Sequence, residues 1–194
     1  NYSNQNCNEG EDFSDDIEDY YFIDNIYYYQ QDYDAASTMV SMSDLGDDFN
    51  IIARSEIDWD CDYVNTEQEG TVILCRIVDL YFNDDGLGGD VFSEIINMDA
   101  LINITIIYES NVTGSIPPEI NQLTQLEYIR LENLNDFEGT IATEIGDLSN
   151  LETFILKNCN DLSGTFPSSF WSIPSLEVVD IYNIFIEMQL TSGI

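Results

Sequence analysis

The chain has 194 residues, 44% of them hydrophobic, with 38 acidic side chains against four basic ones and no histidine, a formal net charge of −34. A field of that sign repels phosphate backbones and anionic lipid, which excludes charge-driven binding to nucleic acid or a membrane surface and favours cations and basic partners. No apolar run reaches the ~18 residues of a membrane span, and without histidine the commonest general base is missing, so the composition reads as non-enzymatic.

Residues 1–50 form an acidic, tyrosine-rich arm with thirteen acids and no base. Such charge ordinarily leaves too little apolar area to offset ordering entropy. The aromatic and aliphatic set Phe13, Ile17, Tyr20, Tyr21, Phe22, Ile23, Ile26, Tyr27, Tyr28, Tyr29 opposes that and predicts an arm held in place, either along its own chain or on another copy. Ile17, Tyr20, Tyr21 and Tyr28 give a partial helical stripe behind Ser14, while Tyr27–Tyr29 reads equally well as strand. The start at Asn1, without methionine or a secretory leader, reads as a processed or trimmed product. Residues 51–76 come next and carry Cys61 and Cys75, with Asp58, Asp60 and Asp62 alternating around the first. With Cys7 and Cys159 the four cysteines allow three pairings.

From residue 77 onward a glycine returns every twenty-five positions, at Gly89, Gly114, Gly139 and Gly164. A fixed period of that size marks stacked repeats, each burying its apolar face against its neighbours. Counted from Leu101, Leu126, Leu151 and Leu176, apolar residues arrive three and five positions later, as Ile104 and Ile106, Ile129 and Leu131, Phe154 and Leu156, Val179 and Ile181. That alternation predicts one short strand per repeat and therefore a parallel sheet. Apolar residues also flank each glycine, at Leu87, Val112, Phe137 and Leu162 before it and Val91, Ile116, Ile141 and Phe166 after it, with Pro117 and Pro167 stiffening the return leg.

The strings LTQLEYIRLENLNDFEGTIATEIGDL and LSNLETFILKNCNDLSGTFPSSF resemble the plant-type leucine-rich repeat, LxxLxLxxNxLxGxIP, with one extra residue between strand and glycine. The resemblance covers residues 77–194 as about five repeats, the last atypical or truncated. It implies an α/β solenoid: a right-handed coil with one parallel strand per repeat and an irregular or 3-10 opposite side. The stretch from Trp59 to Arg76 resembles that family's cysteine-paired amino-terminal cap, which implies a Cys61–Cys75 disulfide and an extracellular or cell-surface location. Cys159 falls at the strand exit that the family fills with asparagine or cysteine and reads as a buried thiol. Asp85 and Glu109 depart from the pattern where its buried asparagine is expected, and Gln189 stands where the next glycine was due.

In much of this family the strand face binds the ligand, and the repeat phase places Tyr81, Tyr108, Glu127, Tyr128, Arg130, Glu152, Lys157, Glu177 and Tyr182 there. Glu127, Glu152 and Glu177 should stack at the strand spacing of about 4.8 Å, each like-charged pair costing on the order of 1 kcal/mol unless a cation or basic group intervenes. Glu132 beside Lys157 should compensate across strands. Asp84, Asp85 and Asp90, around a glycine turn, offer oxygen ligands suited to calcium; a solvated acidic turn is the plainer alternative. No other cofactor is implied. Among so many acids no carboxylate pair stands out for glycosidase chemistry. Asn1, Asn103 and Asn111 lie in N-glycosylation sequons, which fits a secreted glycoprotein. The fifth repeat runs through Phe185, Met188 and Leu190 without polar capping residues, so that end either continues or is covered by another chain.

Two functions follow. One is a structural subunit of a surface filament or coat, self-assembling through Tyr20, Tyr21, Tyr27, Tyr28, Tyr29, Phe185, Met188 and Leu190. The other is a recognition module that binds a peptide, glycan or cell-wall polymer on its strand face. Adsorption to ice or mineral is weaker, because the outward columns are chemically mixed.

Overall fold

The computed structural model describes residues 20–23, 26–42, 56–66 and 70–188. Strands β1 (Tyr20–Ile23) and β2 (Ile26–Tyr29) pair antiparallel, and helix α1 (Gln30–Ser41) follows directly. Strands β3 (Ile57–Thr66) and β4 (Gly70–Asn83) form a long antiparallel pair with an irregularity between Asp58 and Trp59. From β4 onward the chain coils. The sequence continues through β5 (Gly88–Gly89), the single-turn helix α2 (Phe92–Ile95), β6 (Asn103–Ile107), β7 (Asn111–Val112), β8 (Tyr128–Glu132), β9 (Thr153–Lys157), β10 (Thr165–Phe166), β11 (Val178–Tyr182) and β12 (Glu187–Met188).

The main sheet runs β1-β2-β4-β6-β8-β9-β11, with β3 on the other flank of β4 and every pairing from β4 to β11 parallel. On the opposite side of the later coils, 3-10 turns occupy Pro118–Gln122, Thr143–Asp147 and Ser168–Ser172. Strand alternation sends Ile104 and Ile106, Ile129 and Leu131, and Phe154 and Leu156 inward, and all six are buried. Their coil-starting leucines Leu101, Leu126 and Leu151 are buried with them. One continuous apolar cluster extends from Ala35 in α1 to Ile186. The recurring glycine has positive φ at Gly89, Gly114, Gly139 and Gly164, +77° at Gly114 and +99° at Gly139, a conformation that side chains disfavour. At Gly114 a β-carbon would also come within 2.7 Å of the Asp90 carboxylate.

The described part of the arm joins the amino-terminal end of this solenoid. Tyr27 and Tyr28 of β2 pair with Leu74 and Cys75 of β4, and α1 buries Asp32, Ala35, Ala36 and Met39, spaced i, i+3, i+4, i+7 along one face. Asp32 accepts from Arg76 Nε and from the Ile77 amide, both at 2.9 Å, and Arg76 also pairs with Asp99 and lies 3.9 Å over the Tyr29 ring. Burial raises the Asp32 carboxyl above its ordinary value despite the guanidinium. Cys61 and Cys75 face each other across β3 and β4, their Cα atoms 4.1 Å apart, and are joined as a disulfide. The cap is therefore built from both segments that the sequence divides at residue 50, and of the arm's two expected placements the described part takes its own chain.

Candidate functional site

The five parallel strands turn alternate residues outward, and their register lines these up in three columns. The first holds Asp79, Asn103, Tyr128, Thr153 and Val178; the second Tyr81, Thr105, Arg130, Ile155 and Asp180; the third Asn83, Ile107, Glu132, Lys157 and Tyr182. A fourth column leads into the strands. Glu152 donates its backbone N–H to the Glu127 carbonyl and Glu177 to that of Glu152, both at 2.8 Å, and all three side chains are exposed. The expected glutamate stack is therefore present, and among the described residues none of the three takes part in an ion pair.

The cations of this face are occupied. Arg130 grips Glu132 with two nitrogens, each 3.1 Å from a carboxylate oxygen, and Lys157 Nζ lies 3.7 Å from the same carboxylate while also pairing with Asp180. The sequence places Glu132 beside Lys157 correctly but misses that Arg130 and Asp180 complete a network of four charges. Tyrosines supply the aromatic surface: Tyr81, Tyr108 and Tyr182 are exposed and Tyr128 half-buried.

At the strand exits, the residue after each strand has positive φ: Asp84, Tyr108, Asn133, Asn158 and Asn183. Asn158 Nδ2 donates to Asn133 Oδ1 at 2.8 Å and Asn183 Nδ2 to Asn158 Oδ1 at 2.9 Å, a ladder that ties successive turns. One residue further lies the repeat's inward position, where Leu134 and Cys159 are buried. Burial pushes the Cys159 thiol up to about 11, leaving it inert near neutral pH. In the second coil this position holds Glu109, only 1% exposed, whose Oε1 accepts from the Asp85 amide at 2.6 Å and Oε2 from the Leu87 amide at 2.8 Å. Burial, with Asp85 and Asp84 nearby, raises this carboxyl above its ordinary value. Glu109 thus satisfies the turn of the preceding coil, the task the resemblance assigns to an asparagine.

The remaining sequence candidates scatter. Asp85 spends Oδ2 on the Asn83 amide at 2.7 Å, and Asp90 lies against Gly114. Among the described residues no three metal-ligating side chains are gathered to hold an ion, so Asp84, Asp85 and Asp90 are not brought together as a centre. Asn111 is exposed on β7, whereas Asn103 is half-buried and its amide nitrogen donates to Asp79 at 3.0 Å. Tyr28 is buried edge-on against Trp59 at 5.0 Å, Tyr29 lies under Arg76, and Phe185 is exposed. The side chains of Tyr20, Tyr21, Tyr27 and Met188, and Asn1 and Leu190 altogether, lie outside what is described.

No protein-family model and no curated protein matches the sequence. Solved structures do resemble the fold. The leucine-rich-repeat ectodomain of the receptor kinase SOBIR1 from Arabidopsis thaliana aligns over 81% of this chain and 95% of its own, at 18% identity and a TM-score of 0.62. A plant ice-binding protein aligns over 79% of this chain and 46% of its own, at 21% identity and a TM-score of 0.55. The PEPR1–AtPEP1 structure aligns over 57% and 15%, at 23% identity and a TM-score of 0.51. The parallel one-strand-per-repeat sheet, the glycine period and these likenesses define the class: the chain folds as a leucine-rich-repeat solenoid with a disulfide-bonded amino-terminal cap, like plant leucine-rich-repeat ectodomains. No helix among the described residues is long and apolar enough to cross a membrane.

Proposed function

We propose that this chain is a non-enzymatic, extracellular recognition module that holds a basic polypeptide segment against its strand face. The observation that carries this reading is the column Glu127, Glu152 and Glu177: three carboxylates stacked on successive rungs and exposed, beside cations already matched to Glu132 and Asp180. An approaching lysine or arginine relieves the repulsion within the column, and the net charge of −34 draws it in from solution. The cross-strand disulfide and the sequons at Asn103 and Asn111 support an oxidising, secretory compartment. Titration calorimetry with octa-arginine amide at low ionic strength tests the reading. It expects saturable binding that weakens with salt and none with octa-glutamate; absence of saturable octa-arginine binding overturns it.

A second reading, assembly of copies into a filament or coat, is favoured by one observation. The last strand of the sheet, β11, leaves Val178, Val179 and Tyr182 exposed, and Phe185 just beyond it is 75% exposed. The described part of the arm gives this reading no help, because Tyr28 and α1 are engaged with their own first coil. Nor does the likeness to an ice-binding protein lead further: each of the three columns on the strands mixes groups of unlike chemistry, and the glutamates leading into them form a single line, not a lattice.

A further inference from the structure

We infer that Tyr108 is the specificity-determining residue of the strand face, its ring receiving a lysine or arginine side chain of the bound segment; this rests on the reading above that the partner is basic. Tyr108 stands at φ +61°, in the left-handed region that the equivalent residues of the other coils occupy as Asp84, Asn133, Asn158 and Asn183. Asparagine and aspartate tolerate that conformation because a short polar side chain bonds locally, whereas for a bulky residue it is an outlier. The asparagines add a second benefit, the amide ladder from Asn133 to Asn183. Tyrosine forgoes both. Its side chain is also 57% exposed, so packing does not repay the strain. A strained residue that the fold does not need is best explained by what it presents to a partner.

What it presents is an aromatic face in acidic surroundings. Asp84, exposed, occupies the equivalent exit of the preceding coil, while Glu109, next in sequence, turns inward and is buried. Tyr81, also exposed, accepts at its hydroxyl oxygen from Asn83 Nδ2 at 3.5 Å, and Asn83 pairs in register with Ile107, the residue before Tyr108. Two rings therefore flank one rung of the sheet. Arg130 and Lys157 are committed to Glu132 and Asp180, so this aromatic surface is left to a cation from outside. The protein already uses the same contact at its cap, where Arg76 lies over Tyr29. A guanidinium or ammonium over an aromatic face, with the Asp84 carboxylate on the neighbouring coil, joins quadrupole and charge attraction. A neutral sugar ring would gain nothing from the field.

The test compares fluorescently labelled octa-arginine amide binding and thermal melting for wild type, Tyr108→Asn, Tyr108→Phe and Glu152→Gln at low ionic strength. Tyr108→Asn restores the residue found in three other coils, so the expected result is a higher melting midpoint together with an affinity loss of about fivefold, the scale of one partly exposed cation–aromatic contact. Tyr108→Phe keeps the ring and should bind within about twofold of wild type. The inference falls if Tyr108→Asn binds like wild type, or if it melts lower, which would make Tyr108 a structural residue. Weakening by Glu152→Gln with unchanged Tyr108→Asn binding overturns this inference alone. Failure of wild type to bind the peptide overturns both this inference and the reading beneath it.

Discussion

Glu109 shows how much one side chain can settle in a repeat. Its carboxylate closes two backbone donors of the preceding turn, Asp85 and Leu87, that would otherwise be left short of acceptors beside a buried strand. Glu109→Ala leaves both unsatisfied and should destabilise by about 2–4 kcal/mol, whereas Glu109→Gln, which keeps one amide oxygen, should lose about half as much. Denaturant unfolding of the two variants checks the ordering. The repeat phase made this position visible in the sequence as the place of a buried asparagine, but phase alone does not say that a carboxylate one methylene longer in reach spans both amides. The sequons divide on similar grounds. Asn111 is exposed, while the Asn103 amide is held by Asp79 on the strand face. Peptide mapping of glycosylated material is expected to find a glycan at Asn111 and none at Asn103.

The elements differ in how plainly the sequence announces them. Strands β6, β8 and β9 were legible because each inward pair, such as Ile129 and Leu131, recurs at a fixed distance from a glycine, and β11 because it repeats the spacing at Val179 and Ile181. Helix α1 was not. Its buried face consists of Asp32, Ala35, Ala36 and Met39, two small residues and an acid among them, so no strong apolar period marks it. The charge on that face has meaning only once Arg76, forty-four residues away, closes the pair. Removing the guanidinium with Arg76→Met strands a buried carboxylate and should cost about 3 kcal/mol at neutral pH, unfolding α1 from the first coil before the later coils are touched. Hydrogen exchange checks this: amides of Gln30–Ser41 lose protection first, and those of β8 and β9 keep theirs.

On the scale of the whole molecule, charge opposes compactness and acid relieves it. Glu109 and Asp79 have carboxyls raised by burial, Glu109 from 4.5 with Asp85 and Asp84 adding to the rise, and Asp79 from 3.8 despite its bond from Asn103 and with Asp58 adding to it. A carboxyl whose folded value exceeds its unfolded value binds its proton more tightly in the folded state. Its stabilising contribution is complete below the unfolded value and is lost as pH rises through the folded one. Repulsion among 38 acids works in the same direction. The melting midpoint at fixed ionic strength should therefore be higher at pH 5 than at pH 7.5; a lower midpoint at pH 5 would mean that carboxylates paired in the fold dominate.

The same acidity makes location decisive, because a basic peptide would be drawn weakly to any part of so negative a molecule. The strand face and the 3-10 side offer matched sets for comparison: Glu127, Glu152 and Glu177 on one, Glu119, Glu144 and Asp147 on the other. Octa-arginine affinity is best measured for two triple variants with the same net charge, Glu127→Gln/Glu152→Gln/Glu177→Gln and Glu119→Gln/Glu144→Gln/Asp147→Asn. A recognition face predicts at least a roughly tenfold loss in the first, about 1.4 kcal/mol, with the second staying near wild type. Equal weakening in both would show that the peptide reads only bulk charge, and would contradict the assignment of the strand face as the binding site.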